Sequence, residues 1–200
     1  MLLATRQQQT IYPFERVALR FVEGQRTNVF SRKNNKSLGE TVEQKRYLGL
    51  RTEALAKYPH ALNQPLGAFL LEIKLKGDPF YKRFLNAYGD ATYSMFCISD
   101  NSFLKKRGVY AYVVDGKVTY IGRCRDSMSS RINQGYGRIH PKNCYLDGQA
   151  TNCHLNALIT SAGAGTELWH CSIDSIDDIA AIEIELVRAH SPQWNIHRFP

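Results

Sequence analysis

Gly108-Val109-Tyr110-Ala111-Tyr112-Val113-Val114, then Asp115-Gly116, then Lys117-Val118-Thr119-Tyr120-Ile121-Gly122 is the stretch whose reading decides the fold. β-Branched and aromatic residues, which suit a pleated surface, flank an Asp-Gly pair, which suits a tight turn, so the stretch predicts a β-hairpin. Register decides what that hairpin can do, because a one-residue slip moves every side chain to the opposite face. A two-residue Asp115-Gly116 loop would pair Tyr110 with Ile121 and set Tyr110 and Tyr120 on opposite faces. A three-residue Val114-Asp115-Gly116 loop, with Gly116 in a G1 bulge, would set Tyr110 directly opposite Tyr120 on one face. Joint use of two phenols requires the shared face, so the bulged loop is the expectation. Taken alone, tyrosines on a hairpin are as readily core aromatics.

Beyond the hairpin come Arg123-Cys124-Arg125-Asp126-Ser127, read as a loop, and Arg131-Ile132, opening a short helix. Farther on, Ser175-Ile176-Asp177-Asp178 has the form of a capping box. It starts a helix carrying Ile179, Ile182, Glu183, Leu186 and Val187, which ends before Pro192 and Trp194-Asn195. One helical turn from Glu183 lie Ile179, Leu186 and Val187, so this carboxylate borders the buried stripe and needs a cation or partner to compensate it. Glu185 neighbours Ala181, Arg188 and Ala189, where an i,i+3 pair with Arg188 accounts for it. Glu183 is therefore the acid that carries chemistry.

Together these residues resemble the GIY-YIG nuclease superfamily over about residues 108–196. Gly108-Val109-Tyr110 stands for the first triplet and Tyr120-Ile121-Gly122 for the second. Arg131 follows nine residues past Gly122, and Glu183 precedes Leu186-Val187, Pro192 and Asn195. The resemblance implies an α+β fold in which a small central antiparallel sheet, flanked by helices, gathers Tyr110, Tyr120, Arg131, Glu183 and Asn195. It also implies hydrolysis of a DNA phosphodiester with one Mg²⁺ or Mn²⁺ per active site. On that reading Glu183 holds the metal, Tyr110 positions or deprotonates the attacking water and Arg131 clamps the phosphate. Tyr120 bonds a phosphate oxygen or the water, and Asn195 ties down the site. Many relatives carry a histidine one turn past the arginine. Here that position is Gly135, which leaves His140 or His154 as the only histidines near in sequence.

The segment from Gly135 to Asn156 is rich in glycine and polar groups, and reads either as a DNA-contacting loop or as a surface excursion in which His154 and Asn156 cap or pack a helix. Arg123, Arg125, Arg138, Lys142 and His154 are candidate DNA contacts. A zinc reading of His140, Cys144, Cys153 and His154 fits no structural-site spacing, and His197 and Arg198 read as surface groups. Upstream, the texture changes at Lys105-Lys106-Arg107, which divides the chain into an N-terminal α/β extension (1–107) for target binding or oligomerisation and a catalytic domain (108–200). Residues 16–21 read as a strand with Val17, Leu19 and Phe21 on one face, and Thr41–Lys57 as a helix ended before Pro59. Leu66–Leu75 fits strand or helix, Asp78-Pro79 opens a helix reaching Tyr88, and residues 91–98 form a strand. Lys45, Arg46 and Arg51, with the basic loop at 32–36, lie against a phosphate backbone or simply face water.

A net charge of +8 favours a polyanionic partner. Five cysteines, odd in number and without CxxC spacing, suit a reducing cytoplasm better than a disulfide framework. The short apolar start before Gln7-Gln8-Gln9 does not read as a secretion signal, and no apolar run is long enough to span a bilayer. The expected partners are DNA and a second copy of the chain as a homodimer. A type II restriction enzyme ranks ahead of a homing, repair or phage nuclease, because the chain is compact. The alternative is a nucleic-acid-binding protein without catalysis, against which the full residue set argues.

Overall fold

The computed structural model describes residues 1–5 and 10–196; His197 and Arg198 lie outside the described residues. From the amino end come β1 (Leu2–Ala4), β2 (Ile11–Pro13), β3 (Glu15–Val17), β4 (Leu19–Arg26), α1 (Leu38–Val42), α2 (Arg51–Lys57), α3 (Leu66–Leu75) and β5 (Tyr93–Ile98). Then follow α4 (Asn101–Leu104), β6 (Gly108–Val114), β7 (Lys117–Cys124), α5 (Ala150–Ala162), β8 (Thr166–Ser172) and α6 (Ile176–His190). Antiparallel sheets and helices together make the class α+β. Among the described residues no helix is long and apolar enough to cross a membrane.

The chain forms two compact units, one built from Met1–Glu23, Ser94–Arg138 and Leu158–Pro200, the other from Gly24–Tyr93 and Ile139–Ala157. The expected boundary at residues 105–107 therefore falls inside the first unit. Strand pairing is the reason: β3, from the amino end, bonds to β8, so the first residues complete the sheet instead of forming a separate extension.

In the first unit the strand order is β3-β8-β6-β7, antiparallel throughout. One face turns Val109, Ala111, Ile121 and Cys171 onto Ile179, Leu186 and Val187 of α6, with Leu3 and Phe14 completing that core. The valine, leucine, isoleucine and phenylalanine side chains among them each stabilise by about 1.5–3 kcal/mol when fully buried. Ser175 starts α6 by accepting a hydrogen bond from the Asp178 amide at 3.3 Å, and Ser191, in the left-handed conformation with φ 44°, ends it before Pro192. Asp177 and Asp178 in the first turn and Arg188 and His190 in the last complement the helix dipole.

The hairpin β6–β7 differs from expectation at its turn and at its register. Val114 pairs with Lys117, so the loop is the tight two-residue one, with Asp115 and Gly116 both at positive φ (50° and 73°) as a type I′ turn requires. The bulge lies instead at Thr119, between the pairs Val113↔Val118 and Tyr112↔Tyr120. It adds the one residue that brings Tyr120 onto the face of Tyr110 and Tyr112. Tyr120 is thus directly opposite Tyr112 and diagonal to Tyr110, which faces Gly122. Thr119 is held in the bulge at both ends. Its hydroxyl donates to the Tyr112 carbonyl at 3.1 Å and its carbonyl accepts from the Trp194 amide at 2.8 Å.

The second unit packs α1, α2, α3 and short 3₁₀ turns around Phe30, Leu38, Val42, Tyr47, Leu66, Phe69, Leu70 and Phe84. Ser37 and Glu40 form the capping box of α1, at 2.7 and 3.2 Å. The single helix expected over 41–57 is broken, because Tyr47 is drawn into the core against Phe84 and donates its hydroxyl to Asp147 at 2.5 Å. Residues 66–75 form a helix, burying Leu66, Phe69, Leu70 and Ile73 at helical spacing. The helix expected to reach Tyr88 is a 3₁₀ stretch over Pro79–Phe84, capped by Asp78 on the Phe80 amide at 2.9 Å. The expected strand at 16–21 is divided at Ala18 between β3 and β4.

Candidate active site

All five residues assigned to catalysis lie in the first unit. Tyr110 and Tyr120 sit on adjacent strands with ring centroids 6.2 Å apart, and Tyr112 lies 6.1 and 6.3 Å from them. The hairpin accommodates these rings because residue 122 is glycine. A Cβ there would meet the Tyr110 oxygen and Tyr120 Cε1, each at 2.6 Å. Arg131 comes from a π-helix, Ser129–Tyr136, where an ordinary short helix was expected. The wider winding spaces neighbouring turns by about five residues, and the Arg131 guanidinium stands 6.0 Å from the Tyr136 ring. Tyr136 meets the Tyr110 hydroxyl at 2.9 Å, a fourth phenol in the group. An α-helical count from Arg131 points to Gly135, which is why Tyr136 could not be found from spacing.

Electrostatics join the parts. Burial raises the Tyr110 phenol well above its ordinary value, Tyr136 and Tyr120 add to the rise, and Arg131 opposes it. Burial raises Tyr120 in the same way, with Tyr136 and Glu183 adding and Arg131 again opposing. Burial also raises the Glu183 carboxyl, against the pull of Arg123, Arg131 and Arg125. Arg131 of the π-helix thus acts on both hairpin phenols and on the Glu183 carboxyl of α6. Both phenols are neutral at physiological pH, which makes them hydrogen-bonding groups before they are bases.

Glu183 is half-buried, its side chain 15% exposed, and its Oε2 takes the Arg123 guanidinium at 2.8 Å. A carboxylate is a hard oxygen donor, and this one already draws a cation, the Arg123 guanidinium. That chemistry fits a divalent ion held by one carboxylate and waters. The expected Glu185–Arg188 pair is not among the ion pairs of the described residues; Glu185 acts instead on the Tyr12 phenol, whose value is raised first by burial. Asn195 bonds the backbone of β7. Its side-chain amide donates to the Ile121 carbonyl at 2.8 Å and accepts from the Ile121 amide at 3.0 Å, which closes the open edge of β7.

Of the candidate DNA contacts, Arg123 is committed to Glu183, while Arg125 and Arg138 are exposed in the first unit. Lys45 and Arg46 are exposed on the turn after α1, and Lys142 is exposed in the 3₁₀ turn Pro141–Cys144. The two histidines have structural duties. His140 caps that turn, accepting from the Lys142 amide at 3.3 Å, and the His154 ring lies 4.4 Å from that of Tyr88. Cys144 and Cys153 are core residues beside Tyr93. Among the described residues no three His, Cys, Asp or Glu side chains converge as a metal-binding group.

Set against known protein families, curated proteins and solved structures, the chain matches none.

Proposed function

We propose that the chain is a divalent-metal-dependent DNA endonuclease working by GIY-YIG-type chemistry, with a type II restriction enzyme as its first-ranked setting. One observation supports this above the rest. Tyr110 and Tyr120 share one face of the hairpin with ring centroids 6.2 Å apart, Tyr136 meets the Tyr110 hydroxyl at 2.9 Å and lies 6.0 Å from the Arg131 guanidinium, and Arg131 in turn acts on the charge of Glu183. Arg131 offers a planar fork suited to two phosphate oxygens, and its charge offsets the negative charge that grows on phosphorus. Tyr110 and Tyr120, neutral and buried, orient the attacking water and a phosphate oxygen. For Tyr110 to take a proton, Arg131 and the bound metal would first have to outweigh desolvation. Glu183 would hold Mg²⁺ or Mn²⁺, which when bound supplies positive charge to the leaving oxygen. Asn195 fixes the strand edge from which Tyr120 projects. The exposed Arg125 and Arg138 of the first unit, and Lys45, Arg46 and Lys142 of the second, would each meet backbone phosphates.

Plasmid DNA tests this directly. Purified protein with Mg²⁺ is expected to nick or linearise the plasmid, and EDTA to stop it. Glu183→Ala and Arg131→Ala should each lower the rate by about 10²-fold or more while DNA binding persists. Binding without cutting by the wild type, under any divalent metal, would favour the non-catalytic alternative.

A further inference from the structure

The Arg123–Glu183 pair occupies the oxygen that a catalytic cation needs. Arg123 projects from β7, opposite Val109, and its Nη1 lies 2.8 Å from Glu183 Oε2 on α6. The arginine side chain is 34% exposed and the carboxylate 15%, so the pair sits at the rim with the acid innermost. Among the described residues this is the only ion pair Glu183 makes, and Arg131 and Arg125 act on it from farther away. A half-buried carboxylate is expensive to leave uncompensated, so whatever displaces Arg123 has to bring a positive charge of its own.

We propose that Arg123 is an internal counter-ion that holds Glu183 in the metal-free protein and is exchanged for the divalent cation, turning outward to a DNA phosphate as the cation enters. The inference rests on the reading of Glu183 as the metal ligand. Arg123 is thus a positioning residue with two alternative partners. Its side chain already lies about a third in water, at the rim from which an outward turn is open to it. The cost of parting it from Glu183 is recovered from a phosphate oxygen, which accepts the same guanidinium fork. Metal occupancy is thereby coupled to DNA: without DNA the pair competes with the cation, and with DNA it does not. A pair formed in about nine molecules of ten weakens the apparent metal affinity about tenfold.

Mn²⁺ titrations followed by the EPR signal of the free ion, without DNA, test the exchange with no reliance on cutting. Arg123→Ala is expected to bind Mn²⁺ about tenfold more tightly than the wild type. Arg123→Gln, which keeps most of the side-chain length, carries the comparison should the alanine variant fail to fold. Arg125→Gln removes the same unit of charge without breaking the pair, and is expected to change the affinity by less than about threefold. Glu183→Gln should abolish the site in every background. If the Arg123 variants bind no more tightly than the wild type, or no more tightly than Arg125→Gln, while Glu183→Gln still abolishes binding, the exchange is overturned and the metal site stands. If Glu183→Gln binds Mn²⁺ as the wild type does, the metal reading of Glu183 falls and the exchange with it.

Discussion

His170 is a buried imidazole beside the tyrosine cluster, paired across the strands with Tyr110 and with Glu15, its ring edge-on to Phe103. Its Nε2 has no hydrogen-bond partner among the described residues. Burial first, and then the Lys106 ammonium, depress its value from 6.5 to about 4, while a hydrogen bond with the Arg107 backbone acts the other way. The folded protein thus prefers the neutral ring. Stability from this group is fully present above about pH 6.5 and is lost as pH falls toward 4, by about 3 kcal/mol at most. Urea midpoints of the wild type should fall across that window and those of His170→Phe should fall less. Equal slopes for the two proteins would show that His170 carries no such linkage. Burial likewise keeps Tyr110 and Tyr120 neutral, so the same packing sets both the stability profile and the protonation state of these phenols.

At the level of elements, the edge of β7 depends on one side chain from beyond α6. Asn195→Ala removes both of its bonds to Ile121, whose side chain is fully buried, and should cost about 1–3 kcal/mol. Hydrogen exchange reads this locally: the Ile121 amide should exchange faster in the variant, and an unchanged rate would remove Asn195 from its bracing role. These elements were legible in the sequence to different depths. The strands of the hairpin could be read from their β-branched and aromatic residues, and α6 from its cap and apolar stripe. The register could not, because the bulge at Thr119 is held by Trp194, which lies far along the chain. Nor could Tyr136, because a π-helix changes the count from Arg131. β8 escaped notice for a different reason. As an interior strand between β3 and β6 it places Glu167, Trp169 and His170 in cross-strand contacts, so its sequence lacks the clean alternation of a half-buried strand.

Across the whole molecule, charge is distributed unevenly between the units. The second contains thirteen of the 26 Lys and Arg residues but seven of the 18 Asp and Glu, and so carries +6 of the net +8. Its last piece, residues 139–157, looked like a polar excursion in sequence. It is tied in by Cys144, Tyr145 and Cys153 in the core and by the Tyr145 hydroxyl on the Phe30 carbonyl at 3.0 Å. That packing brings Lys142 toward the basic loop at 32–36. Lys33 rests 4.7 Å above the Tyr145 ring, and its ammonium is depressed by burial first, with Lys36 and Lys142 adding and Asp147 opposing. None of these three lysines forms an ion pair within the described residues, whereas Arg51, Lys57, Lys74, Lys76 and Arg83 of the same unit all do. Cations that repel one another and close no ion pair gain by meeting phosphates and releasing condensed counterions. If each lysine meets one phosphate, replacing all three by alanine should flatten the slope of log affinity against log salt by about 2.7. Fluorescence anisotropy with duplex DNA between 50 and 200 mM salt measures that slope to better than the expected change. The affinity should weaken alike for every sequence tried, since backbone contacts carry no base information. A slope equal to that of the wild type would mean that DNA passes this surface by and that the charge of the second unit serves only solubility.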